Sequence, residues 1–158
     1  MNKNTNLSLD AFDLAILGVL QRDNTTPQRL IGEAVNLSAP SVQRRIKRME
    51  KTGVIAANVA TVDPASVGLS LTIVVEVELV SETSKQIDDI KRLFTETPEI
   101  QQCYYVAGEV DFVLIVVIES MAAYEELARR LFLENDIVRK FSTFVSMDRV
   151  KTGSEVKL

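Results

Sequence analysis

The chain has 158 residues, 46% hydrophobic and 25% charged, which is apolar material for one ordinary domain or two small ones without staples. It holds no His and a single Cys, Cys103, which excludes His-built zinc sites, Ser–His and Cys–His dyads and any intrachain disulfide. The net charge of −4 hides an asymmetry: residues 1–60 carry eight Lys/Arg and five Asp/Glu, a local +3, and the remainder carries ten and seventeen, −7. Residues 1–8 are polar and lack the apolar core of a leader peptide. The apolar run Val113–Ile118 is far shorter than the roughly 20 residues a membrane helix needs. The expectation is a reduced, cytoplasmic protein with no membrane segment.

In chain order, Ser8-Leu9-Asp10 precedes the periodic apolar residues Phe12, Ile16, Leu17 and Leu20. This predicts a first helix capped by Asp10, with Asp13 at its positive end and a stop at Asp23-Asn24-Thr25. Thr26-Pro27 predicts a second helix, Thr as cap and Pro at the first helical position, with Leu30, Ala34 and Ile31 as its buried stripe and an end near Asn36. Ser38 is placed to cap a third helix from Ala39 to about Thr52, ended by Gly53. Val54–Val62 is β-prone and predicts a strand after the three helices, a wing, before a linker marked by Asp63-Pro64 and Gly68.

The third helix carries the charge excess. At about 100° per residue, Val42, Ile46 and Met49 form one apolar stripe, while Arg44, Lys47, Arg48 and Lys51 share the opposite face. Arg45 borders the stripe and is placed to pair with a carboxylate of the first helix, such as Asp13. A basic second helix after a tight turn, with the small residues Ser38, Pro40 and Ser41 leading it, has the geometry for entering a major groove. Ser41, Gln43 and Arg44 are placed to reach base edges; Lys47, Arg48 and Lys51 would lie nearer phosphates. The alternative is a solvated charged face on an ordinary three-helix bundle.

After the linker, Leu71–Val80 alternates as a strand with Ile73, Val75, Val77 and Leu79 on one face. Ser81–Ser84 breaks it and caps a helix with the stripe Ile87, Ile90 and Phe94, ended by Thr97-Pro98. Ile100–Ala107 and Asp111–Ile118 read as a hairpin through Gly108-Glu109-Val110. Ser120 caps a helix with Tyr124, Leu127, Ala128 and Leu131, closed by Asn135-Asp136, and a last strand runs from Val138 to about Val150. Cys103 reads as a buried small apolar residue. The order β-α-β-β-α-β is the ferredoxin-like arrangement. Both faces of Asp111–Ile118 are apolar, so the face away from the helices also needs covering, which predicts a homodimer or higher symmetric oligomer packed sheet against sheet.

Leu9-Asp10-x-x-Asp13-x-x-Ile16-Leu17, then Leu37-Ser38 and Val42-x-Arg44-Arg45-Ile46-Lys47-Arg48-Met49-Glu50-x-x-Gly53-Val54-Ile55, resemble the N-terminal domain of the Lrp/AsnC ("feast/famine") transcription factors. Cys103-x-x-Val106-x-Gly108-x-x-Asp111-Phe112, Met121-x-x-Tyr124 and Thr143-Phe144-Val145-x-Met147 with Val150-Lys151 resemble the effector domain of the same family, so the likeness covers roughly residues 8–152. It implies an α+β chain: a winged helix-turn-helix DNA-binding domain over 1–56, a hinge strand and linker over 57–70, and a ferredoxin-like effector and oligomerisation domain over 71–158. It also implies that Gly108, Glu109, Val110 and Asp111 line a pocket for a free amino acid at a subunit interface, with Tyr105, Met121, Thr143 and Phe144 as walls. In that pocket Gly108 would supply positive φ and main-chain N–H groups for a carboxylate, and Asp111 would accept from an ammonium.

The resulting expectation is a regulator without catalysis, cofactor or metal. It would bind palindromic double-stranded DNA as a homodimer or a tetramer of dimers and respond to an amino acid. The alternative is a metabolite-sensing oligomer whose helical domain binds protein. An enzyme finds no support, lacking His, a phosphate-binding Gly-rich loop or paired carboxylates. An RNA-binding sheet is disfavoured because Tyr104 and Tyr105 point to opposite faces of an acidic half.

Overall fold

A computed structural model describes residues 8–81 and 83–158, so that part of the leader reading, over 1–7, lies outside the described residues. The chain divides after Thr61. The first unit comprises the residues up to Thr61 together with Gly153–Leu158, and the second is Val62–Thr152. In this division the closing segment groups with the helices, whereas the expected 71–158 domain takes it in. Gln21 holds it there, donating to the Val156 carbonyl at 3.1 Å and accepting from the Val156 N–H at 2.8 Å.

The first unit has three helices, α1 (Ala11–Leu20), α2 (Gln28–Val35) and α3 (Ala39–Lys51). Asp10 caps α1 in a reciprocal capping box with Asp13. Ser38 caps α3, and Gly53, at φ 77°, ends it. Two local expectations shift. Pro27 itself is the residue before α2, with no side-chain cap, and the Thr26 hydroxyl instead donates to the Asp23 carbonyl at 2.8 Å. The buried stripe of α2 is Ile31 and Val35, while Leu30 and Ala34 are exposed. Gly32 explains the rotation. It faces the turn to α3, where Asn36 is left-handed and the Leu37 N–H donates to the Gly32 carbonyl at 2.9 Å; a Cβ on Gly32 would run into the Leu37 carbonyl oxygen. Ile16, Leu17, Ile31, Val35, Val42 and Met49 form the core of this unit.

No strand or wing forms over 54–62, where the backbone is irregular and the side chains are largely exposed. A strand needs a neighbour for its main-chain N–H and C=O groups, and among the described residues this unit has only helices to offer.

The second unit is the expected ferredoxin-like arrangement: β1 (Leu71–Leu79), α4 (Ser84–Glu96), β2 (Ile100–Tyr105), β3 (Phe112–Ile118), α5 (Met121–Ala128) continued by a π-helical turn (Arg129–Leu133), and β4 (Val138–Val145). The last strand stops at Val145, short of the expected Val150. The sheet is antiparallel in the order β2-β3-β1-β4. Ile73, Val75, Val77, Phe112, Leu114 and Val116 meet Ile90 and Phe94 of α4 and Leu127 and Leu131 beyond it in one core. The ring of Phe94 lies edge-on to Phe112 at 5.5 Å.

The register fixes the opposite face. Ile115 lies beside Val74, which lies beside Phe144, and Val113 pairs with Tyr104 and Glu76. Val74, Val113 and Ile115 are half-buried, and Tyr104 and Phe144 are about half exposed, at 53% and 52%. Cys103 sits exposed on the edge strand β2 and is not the buried residue expected. No helix among the described residues is long and apolar enough to cross a membrane.

Gly32→Ala is expected to destabilise the first unit by about 1–3 kcal/mol, since the Leu37 carbonyl must move to admit the methyl group. A lower denaturant midpoint for loss of helical circular dichroism checks this.

Candidate functional site

Two sets of residues need placing, the basic face of α3 and the hairpin loop between β2 and β3. On α3 the Ser38 hydroxyl accepts from the Ser41 N–H at 3.4 Å, so its oxygen is occupied in starting the helix, and Pro40 lies in the first turn. Val42 and Met49 are fully buried and Ile46 half so, which turns Gln43, Arg44, Lys47 and Lys51 outward, all exposed, with Ser41 half-buried beside them. Among the described residues, Arg44, Lys47 and Lys51 form no ion pair. Three cations spaced along one helix face without an acidic partner attract a polyanion at little desolvation cost.

The other two arginines of α3 are engaged. Arg45 donates to Asp13 at 2.7 Å and to Asp10 at 2.8 Å, as its position at the border of the stripe predicts, and its guanidinium lies 5.6 Å from the Phe12 ring centre. Arg48, grouped by helix angle with the phosphate-facing cations, instead reaches Asp13 at 2.5 Å while its side chain stays 43% exposed. Asp13 is fully buried, and its carboxylate also accepts from the Asp10 N–H at 3.1 Å. Hydrogen bonds from the Asp13 N–H and then from Arg45 hold the Asp10 carboxyl below the usual carboxylate range, and Asp13 with Asp10 raises Arg45.

At the hairpin, Tyr105 pairs with Phe112, and the Val106 N–H donates to the Asp111 carbonyl at 2.9 Å. The loop and its flanks surround an open concavity of about 280 Å³ lined by Tyr105, Val106, Ala107, Gly108 and Asp111. Lys91 of α4 lies over the Tyr105 ring, 4.5 Å from its centre. Gly108 is not in the left-handed region, contrary to the positive φ expected. Its place has open space around it and is not demanded by strain.

Asp111 has a structural duty that sequence reasoning missed. Its Oδ2 accepts from the Leu79 N–H at 2.6 Å and its N–H donates to the Val77 carbonyl at 2.9 Å, tying the loop to the end of β1 where the β1–β4 register slips. Glu109 and Val110 belong to the loop but not to the concavity lining. Met121 opens α5 beyond the far end of β3, about 20 Å from Asp111 at roughly 3.4 Å per strand residue. Thr143 is hydrogen-bonded to the Tyr124 hydroxyl at 2.6 Å, and Phe144 projects from the opposite face of the sheet. One chain thus brings together Tyr105, Gly108 and Asp111 and leaves Met121, Thr143 and Phe144 apart from them. A wider trough of about 810 Å³ runs along α5, but five glutamates and two arginines line it, an acidic surface unsuited to a carboxylate ligand.

Residues 9–50 match the AsnC-type helix-turn-helix domain and residues 72–156 the Lrp/AsnC ligand binding domain. The chain belongs to the Lrp/AsnC family. An uncharacterized HTH-type transcriptional regulator of Sinorhizobium fredii is 41% identical over 152 residues, covering 96% of this chain and 90% of that protein. The crystal structure of an AsnC family transcriptional regulator from Agrobacterium tumefaciens is 31% identical with a TM-score of 0.88, covering 94% of this chain and 97% of that one. A transcriptional regulator of Neisseria meningitidis solved as an L-Met complex is 25% identical with a TM-score of 0.89, covering 95% and 97%. The first match spans α1 to nearly the end of α3, and the second takes in nearly the whole sheet and its helices.

Asp111→Ala is expected to cost about 1–3 kcal/mol by leaving the Leu79 N–H without its acceptor, whereas Asp111→Asn, which keeps a side-chain oxygen, stays near wild type. Thermal unfolding of both variants without ligand checks the difference.

Proposed function

We propose that this protein is a transcriptional regulator that binds double-stranded DNA through α3 and adjusts its assembly and DNA affinity in response to a free amino acid. It acts in the cytoplasm, without a catalytic step or cofactor. The observation that carries the reading is the row Arg44, Lys47 and Lys51, held without acidic partners on the solvent face of a capped and firmly packed second helix of a helix-turn-helix. Ser41, Gln43 and Arg44, nearer the helix start, read base edges; Lys47 and Lys51 meet phosphates.

The apolar face formed by Val74, Val113, Ile115, Tyr104 and Phe144 supports a second copy packing sheet against sheet. A dimer presents two α3 helices, suited to a palindromic site with half-sites about 34 Å apart. Dimers in turn assemble into a tetramer of dimers. The separation of Met121, Thr143 and Phe144 from the hairpin loop supports a ligand site shared between chains, where the loop of one copy faces the walls supplied by another. There the ligand's α-ammonium meets Asp111 and its α-carboxylate meets loop N–H groups. A free amino acid as the ligand class is supported by the L-Met complex of the Neisseria meningitidis neighbour. Nothing on the α3 face favours a protein partner, whose interface core is depleted of charge.

A thermal-shift panel of the free amino acids tests the sensor. At 100 times Kd a true ligand adds about 2.7 kcal/mol of stability. The expected result is a shift with one or two amino acids, much reduced in Asp111→Asn; a flat panel removes the amino-acid reading and leaves the DNA-binding one. Ile115→Lys, which puts a charge in the middle of the apolar face, is expected to lower the molar mass in light scattering to that of a smaller species with its circular dichroism retained. An unchanged mass would exclude that face as the interface.

A further inference from the structure

Arg48 stands on the polar side of α3 by helix angle, yet its guanidinium is turned back to a carboxylate on α1. That carboxylate is fully buried, and its place is fixed from two sides by the capping box: the Asp13 N–H donates to Asp10 at 2.9 Å and the Asp10 N–H donates to Asp13 at 3.1 Å. It cannot swing to follow a departing arginine, and salt does not screen a buried acceptor as it screens Arg44, Lys47 and Lys51. Arg45, on the other oxygen, is only 20% exposed and covered by Phe12.

We infer that Asp13 is a positioning residue for DNA binding: it withholds Arg48 and Arg45 from the phosphate backbone, so that α3 offers DNA three cations instead of five. The inference rests on α3 being the DNA-binding helix. Its consequence is a preference. Sequence-independent affinity grows with each phosphate neutralised, so every cation held back weakens binding to random DNA, while the contacts of Ser41, Gln43 and Arg44 to base edges are untouched. The same carboxylate fixes the rotation of α3 about its axis by gripping it at two points one turn apart on the side facing α1.

The test measures association with a mixed-sequence DNA duplex across a tenfold range of salt, for the full chain. Lys47→Gln is expected to reduce the slope of log K against log salt by about 0.9 per helix. Asp13→Asn, which keeps one acceptor oxygen for Arg45 but removes the charge, is expected to steepen it by about the same amount, an extra eightfold loss of affinity over that range. Adding Arg48→Gln to Asp13→Asn is expected to restore the wild-type slope, as a general loosening of the helices would not. A slope unchanged in Asp13→Asn, or still steep in the double variant, overturns the inference while Lys47→Gln upholds the DNA face. No change with Lys47→Gln overturns both.

If Asp13→Asn does not fold, guanidinium nitrogen spectra of the wild-type protein decide the matter. On adding the duplex, the Arg44 signals are expected to shift and those of Arg48 to stay. Arg48 signals that move with those of Arg44 overturn the inference.

Discussion

A four-stranded antiparallel sheet has two faces, and two helices can cover only one. In this protein α4 and α5 take the face of Ile73, Val75, Phe112 and Leu114, leaving Val74, Val113, Ile115 and Phe144 on the other. Removing apolar surface from water is worth about 25 cal/mol per Å², so a bare face of this kind is a standing drive to associate. On the proposed reading, association through it would pair two DNA-binding domains and bring the hairpin loop residues of a second chain. Assembly, DNA reading and ligand sensing would then all depend on that one uncovered face.

The first unit is organised differently, around a charge in a small core. Burying a carboxylate costs several kcal/mol unless its oxygens are fully used, and Asp13 meets that condition with Arg45, Arg48 and the Asp10 N–H. Such an arrangement contributes modestly to stability and strongly to uniqueness, because any other rotation of α3 leaves the charge unpaired. On the proposed reading, that uniqueness would fix which face of α3 meets DNA.

Much of this was legible in the sequence because it is local. Asp10 and Ser38 announce their helices by the residues that follow them, and Val42, Ile46 and Met49 share a face by spacing alone. The assignment of Arg45 to Asp13 followed from its angle at the edge of the apolar stripe. Arg48 was not legible. Its angle belongs to the solvent face, and only the placement of α1 decides that a long side chain can reach back. Gly32 escaped notice because its need for a bare Cα comes from a carbonyl five residues on. The strand expected over 54–62 failed because propensity describes a residue's readiness to pair and not the presence of a partner. For the effector site, residue types and the family resemblance marked the loop, but the bond from Leu79 to Asp111 spans 32 positions and no local pattern encodes it.

That bond gives Asp111 a scaffold duty beside its proposed ligand role. One oxygen holds the end of β1, so a ligand ammonium engaging the other would draw on the same negative charge and weaken the grip on Leu79. Leu79 is where β1 meets the start of β4, across the only irregularity in that pairing. On the proposed site, ligand occupancy and the hold on Leu79 would draw on one carboxylate, and by reciprocity whatever alters the β1–β4 ladder there would change ligand affinity by the same factor. The end of a strand would then carry the coupling between the bound metabolite and the sheet.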